Sequence, residues 1–173
     1  IIGMDPSVES VERLEKAGIH SYVGSIYSSV SSDEENKYDC IFLFEVAEHL
    51  LFPEKGIKSI KKRLKSDGVF ITSVPDYSQI GNDKSSIANY FNLEHINYFS
   101  QDSLDNLMDR YGLQRIDQKR VGIDLISCYK NVNEFQGIKK DLVTQEEVKK
   151  YFSIQKGKEK RTFQIISELK ERH

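Results

Sequence analysis

The chain offers little material for covalent cross-links or a membrane anchor. It has two cysteines in 173 residues, Cys40 and Cys128, and both lie inside apolar segments. A cysteine in such a setting acts as a small buried hydrophobe, so no disulfide framework is expected. No apolar run approaches the ~20 residues of a membrane span, and no charged-then-apolar leader opens the chain. A cytoplasmic protein is therefore expected. Surplus positive charge is also missing: 25 basic residues against 27 acidic ones leave a net charge of −2. That balance gives no general attraction for nucleic acid or an anionic membrane. There is no internal repeat or low-complexity tract, and a composition of 38% hydrophobic and 30% charged residues suits one globular domain. An initiator methionine is also lacking. The chain opens Ile1-Ile2-Gly3-Met4-Asp5, already inside an apparent strand, so residues upstream of Ile1 are expected in the native protein.

The most informative stretch runs from Tyr38 to Pro75. Tyr38 to Phe44 is a short apolar run rich in aromatic and β-branched residues, the pattern of a strand covered on both faces of a parallel sheet. Ile57, Ile60 and Leu64 then recur at helical spacing, with Gly68 placed for a left-handed cap. Val69 to Val74 returns as a second strand, and a right-handed crossover sets it parallel to the first. Ligands of such sheets sit outside the carboxyl ends of the strands. Glu45, Glu48, His49, Pro75 and Asp76 all fall there.

Before this unit, Ile1 to Met4 reads as the end of a strand and Asp5-Pro6-Ser7 as a turn into a helix. That helix carries Val8, Val11, Leu14 and Ala17 and ends at Gly18. Ser21 to Ile26 is a short strand, and Ser28 to Lys37 a polar loop with room for one helical turn. After the unit, Pro75 to Phe99 is a long loop with a short helix expected over Ile87 to Phe91; loops of this length are usually functional. Ser100 is a good N-cap for a helix with Leu104, Leu107 and Met108 on its apolar face, closed by Gly112. Leu113 to Val121 and Ile123 to Lys130 form an antiparallel pair across Gly122. From Val143 the chain is polar and lysine-rich, with Val148, Phe152, Phe163, Ile166 and Leu169 as a narrow apolar stripe. A helical extension over 131–173 is expected, suited to a homodimer contact.

This order resembles the class I S-adenosylmethionine-dependent methyltransferases over Ile1 to Lys130. The likeness is carried by GMDPS (Gly3 to Ser7), FEVAEHL (Phe44 to Leu50), LKSDGVFITSVPD (Leu64 to Asp76) and EHINYFS (Glu94 to Ser100). It implies an α/β, Rossmann-like domain over 1–130, mostly parallel, with an antiparallel C-terminal pair and strand order 3-2-1-4-5-7-6. It implies S-adenosyl-L-methionine as methyl donor. Asp5, with Pro6 beside it, occupies the place of the carboxylate that holds the ribose hydroxyls. A carboxylate accepts two hydrogen bonds from a cis-diol, and the competing role for Asp5 is a helix N-cap. Ser25 and Ile26 match the place that contacts adenine, although many members have Asp where this chain has Ser25. Phe44, Glu45 and Val46 match the strand end beside the methionine portion. The family's first strand and its glycine-rich loop are absent from this chain. Two apolar edges would then face a gap, and the chain alone should bind the donor weakly.

Three readings of the acidic and imidazole cluster follow from narrower likenesses. Glu94-His95 before Tyr98-Phe99-Ser100 resembles the sugar C-methyltransferases, in which a Glu-His pair does acid–base chemistry; that branch has a tyrosine where this chain has Asn92. Glu45, Glu48, His49 and His95 resemble the metal set of the small-RNA 2′-O-methyltransferases, with Mg²⁺ as the ion. The third reading is a non-catalytic fragment or scaffold that keeps only the sheet. The preferred expectation is methyl transfer to a small oxygenated metabolite, such as a sugar or polysaccharide precursor, without a metal and without nucleic acid. His95 is the expected base, Glu94 orients it, and His49 is held in reserve.

Overall fold

The computed structural model describes residues 1–80 and 93–132, together with Glu146, Lys149, Ser153, Lys156, Gly157, Lys160 and Arg161. The expected short helix over Ile87 to Phe91 and most of the C-terminal extension lie outside the described residues. The seven single positions between 146 and 161 are helical.

Strand β1 (Gly3–Asp5) leads into helix α1 (Val8–Lys16) and back to β2 (Ser21–Val23). The two strands pair in parallel. The turn into α1 is a side-chain device: Asp5 Oδ1 accepts the Ser7 N–H at 2.8 Å. Ser7 Oγ in turn caps Ser10 N. Ser7, not Asp5, is therefore the N-cap, because a serine hydroxyl there reaches a free amide of the first turn. Gly18, at φ +78°, ends the helix as expected.

Strand β3 (Tyr38–Phe44), helix α2 (Pro53–Arg63) and strand β4 (Leu64–Pro75) form the crossover unit, with β3 and β4 parallel. Gly68 is not the helix cap. α2 stops at Arg63, and Leu64 already pairs with Tyr38, while Val69 pairs with Cys40. The residues between them bulge out of the ladder, and Gly68 is needed there because a Cβ would meet the Leu64 side chain at 2.9 Å. Helix α3 (Gln101–Asp109), strand β5 (Leu113–Val121) and strand β6 (Asp124–Asn131) complete the order. The β5–β6 hairpin turns at Gly122, φ +62°. The second short strand ends at Val23 rather than Ile26, and no helix forms among 28–37; these residues are turns and loop.

Four strands form one mixed sheet in the order β3-β4-β6-β5, with β6 antiparallel to β4 and β5; β1 and β2 form a separate pair. This arrangement is the 4-5-7-6 half of the order the resemblance implies, and β1 with β2 supplies its 3-2 half. A cleft of about 500 Å³ lies between the pieces, walled by Met4, Tyr22, Ile26 and Cys40 to Leu43 among others.

One face of the larger sheet is buried. Phe70, Val74, Leu125 and Tyr129 pack there against Ile57 and Ile60 of α2 and Leu104 and Met108 of α3. Both helices lie on this side, so β3 is not covered on both faces as its apolar run suggested: Phe42 and Phe44 are 59% and 51% exposed. No helix among the described residues is long and apolar enough to cross a membrane.

Candidate active site

At the carboxyl end of β3 the backbone must turn abruptly, and Glu45 does so in the left-handed region, φ +51°. Its amide stays tied to the Ser73 carbonyl, and its Oε1 accepts the Ser73 hydroxyl at 2.5 Å. A short 3-10 turn, Ala47–His49, follows directly. It buries Ala47 and Glu48 and leaves the His49 side chain 35% exposed.

The segment 93–99 crosses over this turn and is fastened to it by backbone bonds. Ile96 N and Asn97 N both donate to the Glu48 carbonyl, at 3.0 and 2.9 Å. Asn97 Nδ2 donates to the Leu50 carbonyl at 2.6 Å. On the other side, Tyr77 N donates to the Phe99 carbonyl, so the loop also rests on the carboxyl end of β4. Elements distant in sequence thereby bring Glu48, His49 and His95 together, with one potential donor atom from each residue within 4.8 Å of the others. The two imidazoles meet edge to face with centroids 4.9 Å apart.

Each histidine is held through one ring nitrogen. His49 Nδ1 lies 2.9 Å from the Glu94 carbonyl, and only a protonated Nδ1 can bond a carbonyl. His95 is buried, with Nδ1 3.3 Å from the Tyr77 hydroxyl. Tyr77 is itself buried against the ring of Tyr98. Burial first, and then the neighbouring Tyr98 and Glu48, push its phenol well above the ordinary tyrosine range. It remains neutral at physiological pH.

Glu48 is the most deeply buried member of the cluster. Its side chain is 1% exposed, and among the described residues neither carboxylate oxygen meets a hydrogen-bond partner. Burial pushes its carboxyl up to about 7; its own backbone amide opposes the rise most, Glu45 and Asp124 add to it, and His49 opposes it. Asp124 is raised as well, by burial and then by Glu45. A carboxylate this deep is costly unless something compensates it.

The anticipated residues thus divide. His49, Glu94 and His95 meet, but Glu94 makes its bond to His49 through its backbone carbonyl while its side chain is exposed. Glu45 stands apart from the group formed by Glu48, His49 and His95 and is engaged by Ser73. Asp5 ends β1, with Pro6 next to it, and one of its oxygens is committed to Ser7. Ser25 Oγ accepts the Tyr27 amide in a local turn, and Ile26 lines the cleft. Phe44 and Val46 flank the left-handed Glu45 at the strand end. Tyr77 and Asn97 were missed in the sequence. The only hint was that both lie inside or beside quoted motifs at a strand end.

Residues 1–118 match the methyltransferase-domain family, and the chain belongs to it. It is a class I, S-adenosylmethionine-dependent methyltransferase by family and by fold. Solved structures share that fold at low identity. A Thermotoga maritima SAM-dependent methyltransferase is 16% identical, with 75% of this chain and 72% of that one covered and a TM-score of 0.62. A complex of the Haloferax volcanii Trm112 methyltransferase activator with a methyltransferase matches at 12% identity, 76% and 72% coverage and a TM-score of 0.62. The Burkholderia thailandensis 1,6-didemethyltoxoflavin-N1-methyltransferase, solved with its acceptor and S-adenosylhomocysteine, matches at 15%, 76% and 61%, with a TM-score of 0.58. No curated protein sequence matches the chain.

Proposed function

We propose that the chain transfers a methyl group to a small oxygenated metabolite, a sugar or polysaccharide precursor in the form its motifs favour. The observation that carries this reading is the buried imidazole of His95, pinned by Tyr77 at the sheet's carboxyl edge beside the His49–Glu48 turn. S-adenosylmethionine supplies an electrophilic methyl group on a sulfonium. The residues present fit such a group. Asp5 keeps one carboxylate oxygen beyond the one held by Ser7, enough to accept from a diol hydroxyl. Ile26 offers an apolar wall for a base, and Ser25 lies beside it. The backbone at Phe44, Glu45 and Val46 opens the strand end where the left-handed turn exposes it.

Displacement at a methyl group needs alignment and removal of one proton from the acceptor. With Nδ1–H donating to the Tyr77 oxygen, His95 takes that proton on Nε2. Glu94 contributes through its carbonyl, which fixes His49 against the same ring pair.

His95→Ala is expected to lower kcat about 10²-fold or more while leaving S-adenosylhomocysteine affinity within a few-fold. Retention of full turnover would remove His95 as the base.

A further inference from the structure

Glu48 presents a problem that methyl transfer alone does not resolve. A carboxylate with 1% exposure should be hydrogen-bonded or paired, yet both oxygens lack a side-chain or neighbouring hydrogen-bond partner among the described residues. The nearest cationic candidate is His49 Nε2, 3.8 Å from Oε1, beyond hydrogen-bond reach. His49 must carry its proton on Nδ1 to bond the Glu94 carbonyl, so in the neutral ring Nε2 presents a lone pair toward Glu48. A lone pair facing an ionised carboxylate is repulsive unless a proton or a metal cation stands between them, and at 3.8 Å the two atoms are too far apart to share a proton directly. His95 can take the same tautomer by donating Nδ1–H to the Tyr77 oxygen, and its ring meets that of His49 edge to face.

We infer that Glu48, His49 and His95 form a binding site for one first-row transition-metal dication, of which Zn²⁺ is the natural probe. Imidazoles held through the second nitrogen by a carbonyl or hydroxyl have the outer-shell support that metal-binding histidines commonly have. Ligands on one zinc ion stand roughly 3–3.5 Å apart. Donor atoms now within 4.8 Å must therefore close in by about 1 Å, a rotamer-scale movement. The two segments carrying them are already stitched together by Asn97 and the Glu48 carbonyl, so little backbone ordering remains to be done on binding.

The donor set also decides which ion. Two nitrogens and one carboxylate suit zinc and its neighbours, whereas Mg²⁺ takes oxygen ligands and keeps its waters. Glu45, whose carboxylate would shift the balance toward Mg²⁺, is turned to Ser73 and is not one of the three. Three protein ligands leave a position open. Resting on the methyl-transfer reading, that position would take an acceptor oxygen and ease loss of its proton. His95 then serves as ligand in the loaded protein and as base only without the ion.

The test is calorimetric titration of Zn²⁺ and Mg²⁺ into chelator-stripped, dialysed protein. One Zn²⁺ per chain is expected at micromolar Kd or tighter, with no comparable Mg²⁺ binding. Glu48→Gln, His49→Ala and His95→Ala should each weaken zinc at least tenfold, whereas His20→Ala, which alters an exposed imidazole outside the group, should not. Urea midpoints of all variants identify any that fail to fold. His49→Gln and His95→Gln, which keep size and polarity, stand in for those. Zinc affinity that survives all three substitutions, or no stoichiometric zinc binding, overturns the site. S-adenosylhomocysteine binding and turnover report separately: turnover unaffected by chelation, without zinc binding, removes the ion and leaves the methyl-transfer reading intact. Zinc binding without methyl transfer keeps the ion site and removes only its use.

Discussion

Glu48 shows how one side chain can carry a cost for the fold that only function repays. Its carboxyl titrates near 4.5 when unfolded and at about 7 in the folded chain. Below the lower value it is neutral in both states and costs nothing. As pH rises toward 7 the unfolded state releases its proton first, so stability falls across that window and levels off above it. The full effect is on the order of 3 kcal/mol at pH 8. In the presence of a chelator, Glu48→Gln should therefore stabilise the protein by about this amount at pH 8 and not at pH 4, read as the difference between urea midpoints across a pH series. Equal stability of the two proteins at pH 8 would show the carboxylate to be compensated. Neither the burial of Glu48 nor the turning of Glu45 toward Ser73 was visible in the sequence. Both depend on where β4 lies beside β3, and the Glu-x-x-Glu-His spacing alone leaves either carboxylate free to face the site.

Among the elements, the join around α3 combines cues that could be read and one that could not. Ser100 and Ser103 make a reciprocal capping box: Ser103 N donates to Ser100 Oγ at 3.2 Å and Ser100 N to Ser103 Oγ at 2.9 Å. Loss of the cap in Ser100→Ala should cost about 1 kcal/mol. Gly112 after this helix matters more. It is left-handed at φ +68°, and a Cβ would lie 2.4 Å from the Val132 carbonyl oxygen. Its own carbonyl accepts Val132 N at 2.8 Å and Lys61 Nζ at 3.0 Å, fastening α2 to the end of β6. Gly112→Ala should therefore destabilise by about 2 kcal/mol or more, measured by denaturant unfolding, and more than Ser100→Ala. The helix end was legible from a glycine following an apolar stripe. The Lys61 clamp was not, because it joins residues 51 positions apart. Gly68 fits the same rule in reverse: a glycine at a good capping position belonged instead to a bulge, because the β3 register drew Leu64 into the sheet.

At the scale of the molecule, stability is unevenly distributed. The buried core cluster runs from Ala47 to Tyr129 and contains no residue of β1, α1 or β2; only Ile26, just beyond them, packs against it. Units with few buried contacts open at lower free energy than the core. Amide exchange should be slowest in β4 and β6, which pair along seven successive positions, and far faster in β1 and β2, which pair over three. Equal protection of the two groups would contradict this division. The contrast bears on function, since Asp5 sits on the loosely held unit and the histidine cluster on the firm one.

Local patterning alone determined the α/β order, the capped helices, the antiparallel closing pair and the motif likeness that the family match confirms. These features follow from period, turn chemistry and neighbours a few residues away. Tertiary structure decided which of two carboxylates faces the imidazoles, that Tyr77 and Asn97 support them, and that both helices cover the same side of the sheet. Burial, and the partner each polar atom meets, are set by strands and loops that approach only once the chain has folded.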